Sequence, residues 1–230
     1  MISLKGKKVL IVSPHPDDEI ISCGGLIDKC RKEGAEVFVF YICVGKTRQL
    51  VTGSTNEDIR MKETADVAKF CNFKYKFLFV GEQFVRLDGV DQKDITDPIE
   101  DIIQEFKPDI VCIPFRDSYN QDHRAVFTAC ITALRPTPRN IRHMPSVVLE
   151  YDEPYLWSVS DSGFKPNFFV ELTEENVKNK IQAMKLHATQ DRPDPFSRSG
   201  ENLRRWTEIR GKEIGSHAAE AFKCHRFIIS

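Results

Sequence analysis

Apolar and polar positions follow two alternating patterns along the chain. Six short runs are almost continuously apolar, as in buried strands: residues 7–13, 36–44, 76–80, 109–114, 146–151 and 167–172. Elsewhere apolar residues recur every three or four positions, which predicts helices. These helices are expected at residues 20–33, 55 to about 70, 98–106, 124–134, 174–189 and 201–221.

Two helix ends carry local signals. Gly34 follows the first predicted helix and is a natural stop, because glycine accepts the left-handed backbone that ends many helices. Thr55 has Asp58 three residues further on, the spacing of a capping box, and is predicted to cap the second helix.

The order of these elements predicts the fold class. Continuously apolar strands separated by helices are typical of a parallel sheet covered by helices on both faces, so the chain is expected to be an α/β protein. Neither a repeat nor a low-complexity linker divides it, which predicts one domain over residues 1–230. Ligands of such folds bind beyond the carboxyl ends of the strands.

Charge, apolar run length and cysteine content exclude several classes of protein. The chain has 33 Lys and Arg against 34 Asp and Glu, a net charge of −1, which argues against a nucleic-acid partner. The longest apolar run, residues 37–44, is far shorter than the ~20 residues of a membrane span. The basic start meets only a short apolar stretch, so no secretory signal is expected. Seven cysteines without a C-x-x-C pair favour a reduced, cytoplasmic protein.

An acidic cluster follows the first predicted strand. Residues 14–19 read Pro-His-Pro-Asp-Asp-Glu. Carboxylates at a helix start can cap free N–H groups and meet the positive end of the helix dipole. Capping does not explain why three adjacent acids stand beside His15. The acids repel one another, and a bound cation would relieve this repulsion. His15 and Asp18 could therefore share one ion, and Asp17 would remain free beside it as a base.

A second polar cluster follows the predicted strand at 109–114. It contains Asn120, Asp122 and His123 at the start of the next helix. Asp122 as a helix cap and His123 as a capping or surface histidine are the structural alternatives. Two strand ends that together supply His, Asp and His match the ligand set of an open catalytic zinc site.

With these motifs the sequence resembles the LmbE-like (PIG-L) N-acetylglucosaminyl deacetylase family. The family motif P-H-P-D-D-E is present unaltered at residues 14–19, with Gly24 and Gly25 following, and its H-x-D-H motif corresponds to Asn120-Gln-Asp-His123. The resemblance implies a Rossmann-like three-layer sandwich with a mostly parallel sheet, forming a single deacetylase domain. It also implies Zn²⁺-dependent hydrolysis of an N-acetyl amino sugar or its conjugate to an amine and acetate.

The resemblance also implies roles for individual residues. The family's metal ligands correspond to His15, Asp18 and His123, with one Zn²⁺ or another divalent ion per chain, and its general base corresponds to Asp17. Its arginine that binds a substrate hydroxyl corresponds to Arg60. A surface ion pair of Arg60 with the residue three positions on, Glu63, is an equally good interpretation.

One position departs from the family pattern. Many members have histidine where this chain has Asn120. An asparagine amide can donate a hydrogen bond to an oxyanion but cannot titrate, so Asn120 is expected to act as a donor. Asp122 is expected to orient a neighbouring side chain or backbone group of the second motif without binding the metal. His187, on a predicted helix, is expected to be structural.

Two other function classes remain open from the sequence. Another metal-dependent hydrolase, such as a phosphoesterase, could use the same ligands, although two-metal enzymes usually carry more carboxylates. A non-catalytic sugar-binding relative would be favoured by loss of a ligand or of the base, and all four of these residues are present. The expected partner is an N-acetyl amino-sugar substrate. The sequence leaves open which sugar this is and whether the chain forms a homo-oligomer.

Overall fold

The computed structural model describes residues 3–49, 53–81, 84–154, 157–161 and 163–229. Its strands are β1 Lys8–Ser13, β2 Glu36–Val44, β3 Thr47–Gln49, β4 Gly53–Thr55, β5 Lys74–Val80, β6 Ile110–Ile113, β7 Val147–Tyr151, β8 Phe168–Leu172 and β9 Ala218–Phe227. Its helices are α1 Asp18–Glu33, α2 Glu57–Cys71, α3 Gln92–Phe106, α4 Gln121–Ala133, α5 Glu174–Leu186 and α6 Gly200–Lys212.

Seven of the described strands form one sheet in the order β5-β2-β1-β6-β7-β9-β8. The first five in this order are parallel to one another, and β9 runs antiparallel to both of its neighbours. β1 lies beside β6, so the two polar clusters of the sequence follow adjacent strands. The predicted mostly parallel α/β sheet is confirmed.

Helices cover the sheet on both faces because its central strands are apolar on both sides. Val9 and Ile11 face the layer that contains α1, α2, α5 and α6, whereas Leu10 and Val12 face the layer of α3 and α4. All four side chains are fully buried. This arrangement is the three-layer sandwich expected from the sequence.

The close approach of α1 to β8 and β9 depends on Gly25. A Cβ atom at this position would lie 2.5 Å from Leu172, much too close for a real contact. The Glu220 carboxylate of β9 accepts the N–H groups of Gly25 and Leu26 at 2.7 Å each, and the buried Lys180 of α5 donates to it at 2.6 Å. These contacts fix α1, whose amino-terminal end carries the acidic cluster, against the rest of the molecule.

Several helix starts differ from the sequence predictions. Asn56, not Thr55, is the N-cap of α2, because its side chain accepts the N–H of Ile59 at 3.0 Å. α3 begins about two turns before the predicted start at Pro98, with Asp91 as its cap. Proline lacks one N–H, and the helix accommodates that single missing hydrogen bond. The predicted stop at Gly34 is confirmed, with φ of 78°.

The prediction of a helix up to residue 221 is wrong at its carboxyl-terminal end. α6 ends at Lys212, and β9 then inserts between β7 and β8. The chain reverses tightly at this point, since a Cβ atom on Gly211 would lie 2.6 Å from the backbone nitrogen of Ala218 and Gly215 has φ of 71°. Two glycines permit a reversal that the apolar spacing alone does not reveal.

Within the described ranges, none of the helices combines the length and the apolar character needed to cross a bilayer.

Candidate metal centre and its surroundings

The turn after β1 and the start of α4 meet at the carboxyl edge of the sheet. Three side chains that the sequence singled out as metal ligands come together there: His15, Asp18 and His123. One potential ligand atom from each lies within 4.8 Å of the others, and all three residues are buried. The adjacency of β1 and β6 therefore produces the expected cluster.

The turn itself is held by its own polar groups. Ser13 Oγ donates to the carbonyl oxygen of His15 at 2.7 Å, and the His15 N–H donates to Asp18 Oδ2 at 3.0 Å. The same Asp18 oxygen lies 3.5 Å from His15 Nδ1 and 3.1 Å from His123 Nε2. Asp18 thus presents one oxygen between two imidazole nitrogens.

Each imidazole is oriented by a second carboxylate on its far side. His15 Nε2 lies 2.8 Å from Asp122 Oδ2, and His123 Nδ1 lies 2.5 Å from Glu153 Oε1. Asp122 Oδ1 accepts the N–H of Leu87 at 2.9 Å, and Glu153 Oε2 accepts the Ser118 hydroxyl at 2.8 Å. A carboxylate behind a ligating histidine is the usual arrangement in metal sites, because it fixes the tautomer and the ring direction.

This geometry corrects the expected role of Asp122. Its side chain orients His15, which belongs to the first motif, and not a group of the second motif. Nor is Asp122 the helix cap of the structural alternative, because that position belongs to Asn120, whose Oδ1 accepts the Asp122 N–H at 3.0 Å. Asn120 is partly exposed, and this cap contact uses its oxygen but not its amide nitrogen.

The electrostatics of the cluster favour positive charge between its members. Burial alone would lower the pKa of His15 and of His123, but the surrounding carboxylates outweigh burial and raise both pKa values. Burial would likewise raise the pKa of Asp18, yet His123 and His15 hold that pKa well below its usual range. Two imidazole nitrogens and one carboxylate oxygen, backed by two further carboxylates, fit a divalent ion such as Zn²⁺.

Asp17 adjoins this cluster in a strained conformation. Its φ of 120° is unusual for a residue with a side chain, and such backbone strain costs about 1–3 kcal/mol. Asp17 Oδ1 lies 3.4 Å from Arg60 Nη2, and Oδ2 accepts from Arg198 Nη1 at 3.0 Å. Its backbone N–H donates to Glu19 Oε2 at 2.9 Å. The carboxylate is therefore fixed by two arginines and its backbone by a third acid.

Arg60 is buried behind Asp17, with 1% of its surface exposed. Its Nη2 donates to the Pro16 carbonyl at 2.5 Å, and its guanidinium lies 5.1 Å from the centre of the Phe84 ring. Burial lowers the pKa of Arg60 below its usual value. Nε and Nη1 are buried and find no hydrogen-bond partner among the described residues.

The surface pair of Arg60 with Glu63 is therefore wrong. Glu63 instead accepts the Thr189 N–H at 2.8 Å and the Thr189 hydroxyl at 2.7 Å. Contact between Arg60 and a substrate hydroxyl stays a prediction. The two unpartnered nitrogens, Nε and Nη1, show that the described residues do not satisfy this guanidinium.

Sequence reasoning missed three residues around the site. Glu153 follows β7 almost directly, so the rule that ligands bind at strand ends could have found it. Arg198 reaches Asp17 from the segment before α6, and no local pattern marks it. His187 is buried, as expected of a structural residue, but its Nε2 lies 2.7 Å from Glu19 Oε1 and so connects α5 to the acidic cluster.

Comparison with known proteins defines the class. A family model described as PIG-L, GlcNAc-PI de-N-acetylase, matches residues 10–134, more than half of the chain. The chain belongs to this family. The matched region contains the acidic cluster of residues 14–19, together with Asp122 and His123.

Curated relatives agree with this assignment. The chain is 25% identical over 194 residues to an uncharacterized deacetylase, YaiS, of Escherichia coli, a match that covers 80% of the chain and 91% of the relative. It is 26% identical to the diacetylchitobiose deacetylase of Thermococcus kodakarensis, over 94% of the chain and 82% of the relative. A probable N-acetyl-α-D-glucosaminyl L-malate deacetylase 2 of Bacillus cereus is 31% identical, over 59% and 64% respectively.

Solved structures share the fold. The N,N′-diacetylchitobiose deacetylase of Pyrococcus horikoshii, complexed with its inhibitor MPG, superimposes with a TM-score of 0.74 at 23% identity, covering 96% of this chain and 84% of that one. GalB of Pseudomonas putida, a 4-carboxy-2-hydroxymuconate hydratase, gives a TM-score of 0.76 at 17% identity, with coverages of 97% and 98%. A zinc-inhibited form of teicoplanin deacetylase Orf2 gives 0.70 at 16%, with coverages of 97% and 100%.

Proposed function

We propose that this chain is a metal-dependent amidohydrolase that removes the acetyl group from an N-acetyl amino sugar or its conjugate. The observation that carries the proposal is the buried group of His15, Asp18 and His123 with the Asp17 carboxylate beside it. The family assignment and the deacetylase relatives support the same reaction class. The whole chain would form one such domain and act in the cytoplasm.

The metal would be held by His15 Nδ1, Asp18 Oδ2 and His123 Nε2. These are the ligand atoms left available when Asp122 and Glu153 occupy the other ring nitrogens. A divalent ion supplies Lewis acidity, which lowers the pKa of water and polarises the acetamide carbonyl. Zn²⁺ suits two nitrogens and one oxygen, with a position left open for substrate.

Asp17 would handle the protons. Its carboxylate would accept a proton from the attacking water as the new C–O bond forms at the acetamide carbon. The same carboxylate would return that proton to the sugar nitrogen as the C–N bond breaks, giving acetate and a free amine. Arg60 and Arg198 would keep the carboxylate in place, and the Asn120 amide is the candidate donor to the developing oxyanion.

Acetate release is the direct test. Metal-free protein is reconstituted with a graded series of Zn²⁺ up to and beyond one equivalent, since a relative of this fold has a zinc-inhibited form. Free, nucleotide-linked and glycoside-linked N-acetyl sugars are then compared for acetate and free amine. We expect equal amounts of both products from at least one class, and release at least about 10²-fold slower from protein with Asp17→Asn.

The same preparations address the alternatives. Phosphate-ester substrates measure phosphoesterase activity, and 4-carboxy-2-hydroxymuconate measures the hydratase activity of GalB. Turnover of either in place of acetate release would reject the proposal. Sugar binding with no turnover at any metal ratio would favour a non-catalytic sugar-binding protein.

A further inference from the structure

The peptide group between Pro16 and Asp17 is bonded on both of its sides. The Pro16 carbonyl accepts from Arg60 Nη2 at 2.5 Å, and the Asp17 N–H donates to Glu19 Oε2 at 2.9 Å. Glu19 is completely buried. Two residues from opposite sides therefore fix the plane of the peptide that leads into Asp17.

Glu19 is fixed in turn by a residue that is distant in sequence, His187. Its other oxygen, Oε1, lies 2.7 Å from Nε2 of His187, which follows α5 and is 1% exposed. The two residues are 168 positions apart in sequence. Glu19 and His187 are not among the proposed ligands. The proton transfers assigned to Asp17 require neither of them.

Asp17 is where such support is needed. Its φ of 120° is a conformation from which a residue with a side chain relaxes unless surrounding contacts prevent it. Rotation of the Pro16–Asp17 peptide would relieve the strain, but it would break the hydrogen bond to Glu19. It would also change the direction in which the Asp17 carboxylate points.

We propose that Glu19 and His187 are positioning residues that act through Asp17. Glu19 accepts the Asp17 N–H, and His187 fixes Glu19. Together they keep the Asp17 carboxylate directed at the substrate side of the cluster. The catalytic consequence rests on the proposed deacetylase function. The conformational statement does not, and the two are tested separately.

The conformational test compares glycine with alanine at position 17. Both replacements remove the carboxylate, so they differ mainly in how well they accept φ of 120°. With Glu19 present, Asp17→Gly is expected to melt roughly 2–8 °C above Asp17→Ala. In combination with Glu19→Met, which removes the acceptor but keeps the length of the side chain, this difference should fall by at least half.

A remote histidine supplies the matched control. His143 Nε2 lies 2.7 Å from the carbonyl oxygen of Pro108, before β6 and therefore at the opposite edge of the sheet. In combination with His143→Gln, the glycine-to-alanine difference at position 17 should be unchanged. If Glu19→Met protein is too unstable to purify, His187→Leu replaces it in the same comparison.

The catalytic test separates kcat from KM. Glu19→Met and His187→Leu are each expected to lower kcat at least about tenfold, with KM within about twofold and metal content unchanged, because the ligands themselves are intact. Glu19→Gln can still accept the Asp17 N–H through its amide oxygen and should recover most of kcat. His143→Gln should leave both constants unchanged.

The outcomes are distinguishable. An unchanged glycine-to-alanine difference in the Glu19→Met background would overturn the conformational statement, whatever the activity. A reduced difference with unaltered kcat would show that the support exists but does not serve catalysis. Absence of acetate release from the unsubstituted protein would reject the proposed function and leave the melting comparison valid.

Discussion

Asp17 is the residue whose replacement bears most directly on the proposed chemistry. Asp17→Asn is nearly isosteric but cannot accept a proton, and loss of a general base typically lowers the rate about 10²–10⁴-fold. The ligand set remains, so metal content should equal that of the unsubstituted protein. Steady-state kinetics and elemental analysis on the same samples provide the measurement. Activity within a few-fold at full metal content would mean that the Asp17 carboxylate serves only as the ion-pair partner of Arg60 and Arg198.

Glu153 should affect metal affinity without being a ligand. His123→Ala removes a proposed ligand and is expected to abolish stoichiometric metal binding. Glu153→Gln weakens the orientation of the His123 ring and should reduce affinity about 10–100-fold, the usual effect of losing such a partner. Competition with a chromophoric chelator measures the metal affinity of both variants, with His143→Gln as the control. Identical affinity of Glu153→Gln and unsubstituted protein would contradict the orienting role.

At the scale of the element, Asn120 caps α4 and is also the proposed donor to the oxyanion, and substitution can separate the two roles. Serine caps helices about as well as asparagine but has no amide to donate, whereas alanine loses both properties. Asn120→Ser should keep the stability of α4, and Asn120→Ala should cost about 0.5–2 kcal/mol.

Activity then tests the oxyanion role. If the Asn120 amide stabilises the oxyanion, both variants should lose about 10²–10³ in kcat, the range seen for one such donor. Thermal unfolding and kcat are measured on the same preparations. A serine variant with full activity would restrict Asn120 to the cap of α4.

The sequence predicts an element well where its signal is local, and poorly where the element depends on tertiary contacts. β2 is predicted at both ends because its apolar run is uninterrupted, and the end of α1 because Gly34 is a local signal. The start of α3 is misplaced because Pro98 looks like a first helical residue. β9 is missed because its pairing with β7 and β8 is a tertiary contact, and its pattern continues the apolar spacing of α6.

The same distinction applies to the site. His15, Asp18 and His123 are predictable since each lies in a short motif directly after a strand, and adjacent parallel strands end at one edge. Glu19 and His187, in contrast, meet only through the packing of α5 on α1, which no local pattern encodes. The contacts that arginines make with the Asp17 carboxylate, and that Glu19 makes with its N–H, likewise form only in the folded chain.

For the whole molecule, the His187–Glu19 pair predicts a pH dependence of stability. Burial alone would lower the pKa of His187, but the Glu19 carboxylate outweighs it and raises the pKa above the usual 6.5. A group whose folded pKa is raised stabilises fully below its unfolded pKa. The contribution of His187 should therefore be complete below about pH 6.5 and be lost as the pH rises through the folded value.

The measurement is the melting temperature of metal-loaded protein from pH 6 to 9, with and without His187→Gln. Metal bound at the proposed site would keep His15 and His123 from titrating. The unsubstituted protein should be more stable at pH 6, and its advantage over the variant should shrink as the pH rises. A pH-independent difference would mean that the pKa of His187 is the same in the folded and the unfolded protein.

The groups around the candidate centre divide along the chain at residue 134. The three proposed ligands lie inside the region that the family model matches, whereas Glu153, His187 and Arg198 lie beyond it. A substitution after residue 134 can therefore change how Asp17 and His123 are held while the motifs at residues 14–19 and 120–123 stay intact.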